Sequence, residues 1–448
     1  MKRGIVAFCA ALVLTGGPAF AESLQDEIAR LIETHPQLKG ARDNVAAADE
    51  GIDRAFAAFL PSVDLSADFG REITDSPGTR SGRGGSLTVW RESASLTISQ
   101  TVFDGFGTPA ALATAKIGKS IAEVALNSTQ QNLLFAAISA YLDVLRNTRL
   151  LELAGVNEST IQRQLKLEDE RVKRGAGIAI DVLQAKSRLQ VSKERRVAFE
   201  GNLANATARY QQTFDSEPEV DDMSLPTLPI GLLPETLGEA EVIARAENPA
   251  LDNSNRAIDR ANQRKRSAKS AFYPVIELVT TLNYEQDEAG TLGTRYDGAV
   301  KLEATWEFFS GFATRADTLA AAHEYSAALN NHRLVDRNVI VDLRLAWQQL
   351  ATARERVGLL QNAVNIAREV HAARRKQLEA GEETEINVLD AENEVFNAQI
   401  NETGAEYDAR TAVYRMLLAL GRLTPEVGRY PRSEPGRIER LIGKDTSD

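Results

Sequence analysis

The chain of 448 residues carries 52 basic side chains against 63 acidic ones, a net charge of −11 at neutral pH. That balance disfavours a polyphosphate, so nucleic acid is not an expected partner. With one cysteine, Cys9, and no Walker loop, dinucleotide fingerprint or plausible catalytic set, neither disulfides nor a cofactor nor enzymatic machinery is expected.

Residues 1–21 have the pattern of a signal peptide. Lys2 and Arg3 precede an apolar run from Ile5 to Leu14, and Ala19-Phe20-Ala21 supplies the small residues a signal peptidase needs. The mature chain is expected to begin at Glu22, without Cys9, and Val6-Ala7-Phe8 does not form a lipobox. No later segment approaches 18 uninterrupted apolar residues, so no transmembrane helix is expected.

The remainder is written twice. Asn248-Pro249-Ala250-Leu251 and Phe272-Tyr273-Pro274 lie 213 positions after His35-Pro36-Gln37-Leu38 and Phe59-Leu60-Pro61. Phe309-Ser310-Gly311-Phe312 lies 206 after Phe103-Asp104-Gly105-Phe106, and that offset continues from Gly175 to Gly381. An internal duplication of about 200 residues follows. The expected organisation is a first repeat over 22–216, a linker over 217–234 marked by Pro218, Pro226, Pro229 and Pro234, a second repeat over 235–424, and a flexible tail over 425–448.

Within the first repeat, alternation of Val63, Leu65, Ala67 and Phe69 with polar residues predicts a strand over about 62–70, and a second is expected over about 87–100. A Gly-rich polar loop, Thr74 to Gly85, joins them. No proline occurs from Ala110 to Glu217, which permits a helix from about Ala110 to Arg174, roughly 100 Å long. The second repeat predicts strands over about 275–285 and 295–308 around a polar loop from Gln286 to Gly293. Then a heptad seam runs from Leu343 through Leu350, Val357 and Val364 to Leu378, with its counterpart from Ala137 to Val172. Another seam runs from Ile386 to Leu417. Heptads alone would equally suit a coiled-coil filament.

The strands favour something else. Segments of about 8–13 residues, apolar on one side and charged on the other with aromatics toward the ends, suit a membrane barrel with a wet interior. Four strands cannot close one, so other subunits must supply the rest. A small soluble sheet remains the plainer alternative.

The duplicated order of helix, strand, loop, strand and long helix resembles the TolC-type outer-membrane efflux and secretion family. So do the turn at Phe103 to Phe106 and the segments from Arg174 to Gln184 and Ala380 to Ala391. The resemblance spans nearly the whole mature chain. It implies a mainly helical fold with long antiparallel coiled-coil hairpins and four strands per subunit. These would form a trimeric twelve-stranded barrel in the outer membrane of a Gram-negative bacterium, continued by a periplasmic helical tunnel. It implies a passive duct, partnered by a periplasmic adaptor and an inner-membrane ABC or proton-driven transporter. The rival readings are a periplasmic adaptor protein, which would need lipoyl-like strands around one hairpin, and a secreted helical structural protein.

The candidate sites lie where the hairpins turn. Asn387 and Asp390 share a helix face just past Gly381, and Asp181 and Gln184 take the equivalent places past Gly175. By resemblance, threefold symmetry would gather Asp390 into an acidic ring at an aperture, holding cations in preference to anions. The alternative is that Asp390 and Asp181 merely favour helix N-termini. Gly175 with Ala176 and Gly381 with Glu382 are adaptor-docking candidates, although a positive φ at each turn would explain the glycines alone. The protein that names the family ties its tip shut with an arginine two residues past the second tip glycine and a tyrosine three before it. Here those positions are Glu383 and Leu378, so that lock does not carry over. Tyr296, Trp306, Phe308 and Phe309 are candidates for an interfacial aromatic belt in contact with outer-membrane lipid. The histidines at 35, 323, 332 and 371 show no metal-ligand spacing.

Overall fold

The computed structural model describes residues 24–175 and 179–428. The signal segment, Ala176 at the first tip and the tail beyond 428 lie outside the described residues. The first repeat contains α1 (Leu24–Thr34), α2 (Pro36–Ala57), β1 (Ser62–Thr74), α3 (Pro77–Arg83), β2 (Leu87–Phe103), α4 (Gly107–Lys173) and α5 (Ala179–Phe214). The second contains α6 (Leu237–Glu247), α7 (Pro249–Ser270), β3 (Val275–Gln286), β4 (Thr294–Thr305), α8 (Ala313–Glu379) and α9 (Glu385–Leu420).

The duplication is realised residue for residue in the helices. α4 and α8 are 67 residues each, α5 and α9 are 36, and α2 and α7 are 22. The offset falls from 213 to 206 inside the strand hairpin, where the first repeat alone inserts α3. That helix replaces the loop expected from Thr74 to Gly85. Pro77 supplies a preset φ at its start, and Ser76 and Thr79 cap each other reciprocally, Thr79 N donating to Ser76 Oγ (3.2 Å) and Ser76 N to Thr79 Oγ1 (2.9 Å).

α4 begins at Gly107, three residues before the expected Ala110, because Asp104 caps it: Thr108 N donates to Asp104 Oδ2 at 2.5 Å. Along α8 the predicted seam is the buried one. Leu343, Leu350, Val357 and Val364 are buried while Leu345, Leu359 and Ile366, each two residues past one of them, are exposed. On α4, Ala137, Val144, Ala154 and Ile161 are likewise buried.

The chain divides into two compact units. One contains 36–129 and 241–342, and so holds the sheet with α2 and α7. It is a single antiparallel sheet of order β1-β2-β3-β4, with β1 and β4 as open edges. The other contains residues up to 35, 130–240 and 343 onward, and so holds the hairpin turns, α5 and α9. No described helix is long and apolar enough to cross a membrane.

Three strand ends differ from expectation: β1 runs on past 70 to Thr74, β2 runs past 100 to Phe103, and β4 falls short. β4 stops at Thr305, not at 308. Its counterpart β2 runs on to Phe103 only because β3 lies beside it there, Gln100 opposite Leu278 and Phe103 opposite Ile276; its pairing with β1 already ends at Ser62 opposite Ser99. Residues 306–309 are the equivalents of 100–103 and have no second strand alongside within one chain, so nothing holds them in the ladder.

Candidate functional site

In the sheet-containing unit the register sorts side chains by chemistry. Leu65, Leu96, Leu282 and Gly298 fall in one row, and Ala67, Ala94, Tyr284 and Tyr296 in the next, all on one face. That face is bare: Leu65 is 75% exposed, Val300 72% and Leu302 69%. The opposite face is wet and charged. Arg91 reaches Glu288 at 2.9 Å, Asp68 at 3.4 Å and Glu72 at 3.6 Å. Asn283 accepts from Ser95 Oγ (2.7 Å) and donates to Asp297 (3.0 Å), while Arg295 lies 3.4 Å from Asp297. Burying such a face in a core would strand charges, whereas hydrocarbon against the other would bury about 25 cal/mol per Å² of apolar area. An apolar environment on one side and water on the other satisfies both.

Aromatics mark both limits of the apolar band. Near the hairpin end Phe69 stacks on Trp90 with ring centres 5.1 Å apart, and Tyr284 meets Tyr296 at 5.3 Å. At the helix end Trp306 contacts Phe308 at 4.3 Å and Phe309 contacts Phe312 at 5.4 Å. Trp306 Nε1 donates to Phe272 O at 3.2 Å, which fixes the segment after β4 to the joint between α7 and β3. The four belt candidates therefore divide, Tyr296 at one limit and Trp306, Phe308 and Phe309 at the other.

In the hairpin unit, Ile161 of α4, Leu189 of α5 and Leu389 of α9 form one buried cluster, with Leu165 against it. Fully burying such a side chain is worth roughly 1.5–3 kcal/mol. Several polar bonds beside it run from the first hairpin to the second. Arg188 Nη1 lies 2.6 Å from Asp390 Oδ1, Gln164 Nε2 donates to Glu392 Oε2 at 3.0 Å, and Arg195 donates to Asn393 (3.3 Å) and Asn397 (3.1 Å). Asp390 is thus already paired. Arg188 and Arg195 escaped the sequence reading; the signal that marks them is divergence between repeats, since their equivalents are Glu394 and Asn401.

Asn387 is committed locally. Its Nδ2 donates to Glu383 Oε1 at 2.5 Å, which also accepts from Thr384 N at 2.9 Å. Those two donors hold the Glu383 carboxyl below its ordinary range. Arg374 donates to Asn387 O at 3.2 Å. Asp181 sits in the first turn of α5, and neither it nor Gln184 is bonded to Asp390 or Asn387 among the described residues. Burial, and then the nearby Glu168, raises the pKa of Glu385 at the start of α9.

Both tip glycines adopt positive φ, 76° at Gly175 and 79° at Gly381. Gly381 N donates to Leu378 O (3.0 Å) and Glu382 N to Gln377 O (2.9 Å), the paired bonds of a Schellman cap. Gly175 N donates to Val172 O at 3.0 Å. Neither glycine has a neighbour within 4 Å of where a Cβ would stand, so the turns are open to a partner.

Known proteins resemble this chain along most of its length. BepC, an outer membrane efflux protein of Brucella suis biovar 1, is 25% identical over 92% of this chain and 88% of its own. AprF, an alkaline protease secretion protein of Pseudomonas aeruginosa, is 25% identical over 93% of this chain and 88% of its own. The crystal structure of the outer membrane protein VceC of Vibrio cholerae superposes with a TM-score of 0.77 at 16% identity, covering 89% of this chain and 96% of that one. The fold is therefore that of TolC-like outer-membrane channels. The family model described as outer membrane efflux protein matches residues 28–213 and 242–422, and the chain belongs to that family, whose members are outer-membrane channel proteins.

Proposed function

We propose that the protein is a passive exit duct of the outer membrane, serving a tripartite efflux pump or a type I secretion system. It conducts small toxic compounds or a secreted polypeptide delivered by an inner-membrane ABC or proton-driven transporter through a periplasmic adaptor. Its relatives BepC and AprF are named for efflux and for protease secretion, which supports both cargo classes. The adaptor docks at Gly175, Ala176, Gly381 and Glu382.

The observation that carries this reading is a sheet with one bare apolar face, one charged face and two open edges. Three copies close it into twelve strands. The repeat predicts how. If β4 meets β1 of the next copy as β2 meets β3, then Leu96 opposite Leu282 becomes Leu302 opposite Phe69 of the partner subunit. Likewise Ile98 opposite Thr280 becomes Ala304 opposite Ala67 of the partner subunit. This seam would also supply the missing neighbour for residues 306–309.

Cysteines placed as Ala304→Cys with Ala67→Cys test both closure and register, since Cys9 is the only native cysteine. Oxidation should yield covalent trimers, with Ala304→Cys and Phe69→Cys as a displaced control that yields fewer. A chain that cross-links to no copy of itself would reject the closed barrel.

A further inference from the structure

The helix entering the sheet carries a charge that the fold does not require. α7 holds six basic residues against two acidic, although the whole chain is net negative. Its repeat partner α2, of equal length and leading equally into a strand, holds three against four. At the positions of Arg264, Lys265, Arg266 and Lys269 the first repeat has Gly51, Ile52, Asp53 and Phe56. The helix dipole accounts for a cation in the last turn, which covers Lys269 and falls short of Arg264.

Arg264, Arg266 and Lys269 are exposed and make no ion pair among the described residues. Lys265 lies over the Tyr325 ring at 4.5 Å, which holds the middle of this run against α8. The cluster is continuous with the apolar band. Lys269 is three residues before Phe272, whose carbonyl receives Trp306, and Phe272 and Tyr273 are themselves half exposed. Arg264 is six residues from the end of α7, about 9 Å along the axis, comparable to the Debye length at physiological salt. All three charges therefore fall within electrostatic reach of the headgroup layer adjoining Trp306.

We infer that this cluster binds the anionic phospholipid headgroups, phosphatidylglycerol in chemistry, of the leaflet at the helix end of the sheet. The inference rests on the outer-membrane duct reading. Phosphates there meet three unpaired cations beside an aromatic girdle, and each such cation is worth about fivefold in lipid association at low salt.

The test uses the full chain with Trp90→Phe and Trp347→Phe, leaving Trp306 as the reporter. It is reconstituted in phosphatidylcholine vesicles containing brominated phosphatidylglycerol or brominated phosphatidylcholine. Quenching of Trp306 should favour phosphatidylglycerol at least tenfold. The preference should vanish in the triple variant R264Q/R266Q/K269Q and shrink in high salt. Native mass spectrometry of the protein without tryptophan changes should show retained phosphatidylglycerol that the triple variant lacks. Equal quenching by both lipids in an inserted protein overturns the inference alone. Failure of the triple variant to assemble assigns the charges to contacts between copies and overturns it too. Failure of the parent protein to insert into vesicles overturns the duct reading and this inference with it.

Discussion

Two equivalent glycines should respond differently to the same substitution. Gly105 has φ +69°, and a Cβ built there would stand 2.5 Å from Ser270 O and 2.7 Å from Tyr273 Cβ. Gly311 has φ +65° with nothing within 4 Å. Alanine in the left-handed region costs roughly 1–2 kcal/mol and overpacking a further 1–3 kcal/mol. Gly105→Ala should therefore destabilise the folded protomer by about 2–5 kcal/mol, and Gly311→Ala by about 1–2 kcal/mol. If the proposed seam between copies forms, the repeat would place Ala57 and Leu60 of the partner subunit against Gly311 as Ser270 and Tyr273 stand to Gly105. Gly311→Ala should then fold as a monomer in detergent, read by circular dichroism, yet give a reduced yield of oligomer on an unheated gel. A Gly311→Ala protein that assembles as well as the unsubstituted chain would refute the seam, and a harmless Gly105→Ala would refute the packing on which the comparison stands.

Four further outcomes follow. Val300→Lys, on the bare face, should cost about 2–4 kcal/mol near mid-membrane and block insertion in a vesicle flotation assay, while Lys301→Gln on the charged face should insert normally. In planar bilayers Asp390→Ala should reduce cation preference and Arg188→Gln, which uncovers Asp390, should increase it; unchanged selectivity in both would remove Asp390 from the aperture. Gly381→Val should leave assembly intact and abolish transport if the tip docks an adaptor, whereas loss of assembly would make the turn structural only. Burial raises the pKa of Asp143 despite the nearby Arg146 and Arg209; the stability tied to its protonated form is complete below about pH 4 and is lost as pH rises through the raised value. Asp143→Asn should accordingly raise the melting temperature at pH 7 and not at pH 3, and a lower melting temperature at pH 7 would contradict that sign.

Periodicity made most of the fold legible, because a seam such as Leu343 to Leu378 has one geometric solution when sustained over about ten helical turns, and a second copy of it confirms the register. Features held by short polar contacts were less visible. α3 hid in a Gly-rich stretch because its capping box uses Thr79 where Glu or Gln is the usual signal. β4 ends where its pairing with β3 ends and no second strand of the chain lies beside 306–309, so side-chain alternation through Trp306 and Phe308 overran it. Arg188 was invisible as a partner because nothing local ties it to Asp390, 202 positions away; only the divergence from Glu394 at the equivalent place hints at it.

That divergence bears on how the tip carries charge. A bare ring of three carboxylates repels itself and draws cations, but a carboxylate 2.6 Å from a guanidinium presents mainly a dipole at a distance. In the proposed aperture Asp390 would therefore contribute little while α5 and α9 stay together. The same pair is one of several that run from the first hairpin to the second, with Arg195 to Asn393 and Asn397 and Gln164 to Glu392. Any movement that draws α9 away from α5 must break the bonds of Arg188 and Arg195, and in doing so it releases the Asp390 carboxylate. If Asp390 lines the proposed aperture, holding the hairpins together and screening that carboxylate would be one interaction, and parting α5 from α9 would separate the Asp390 charge from that of Arg188.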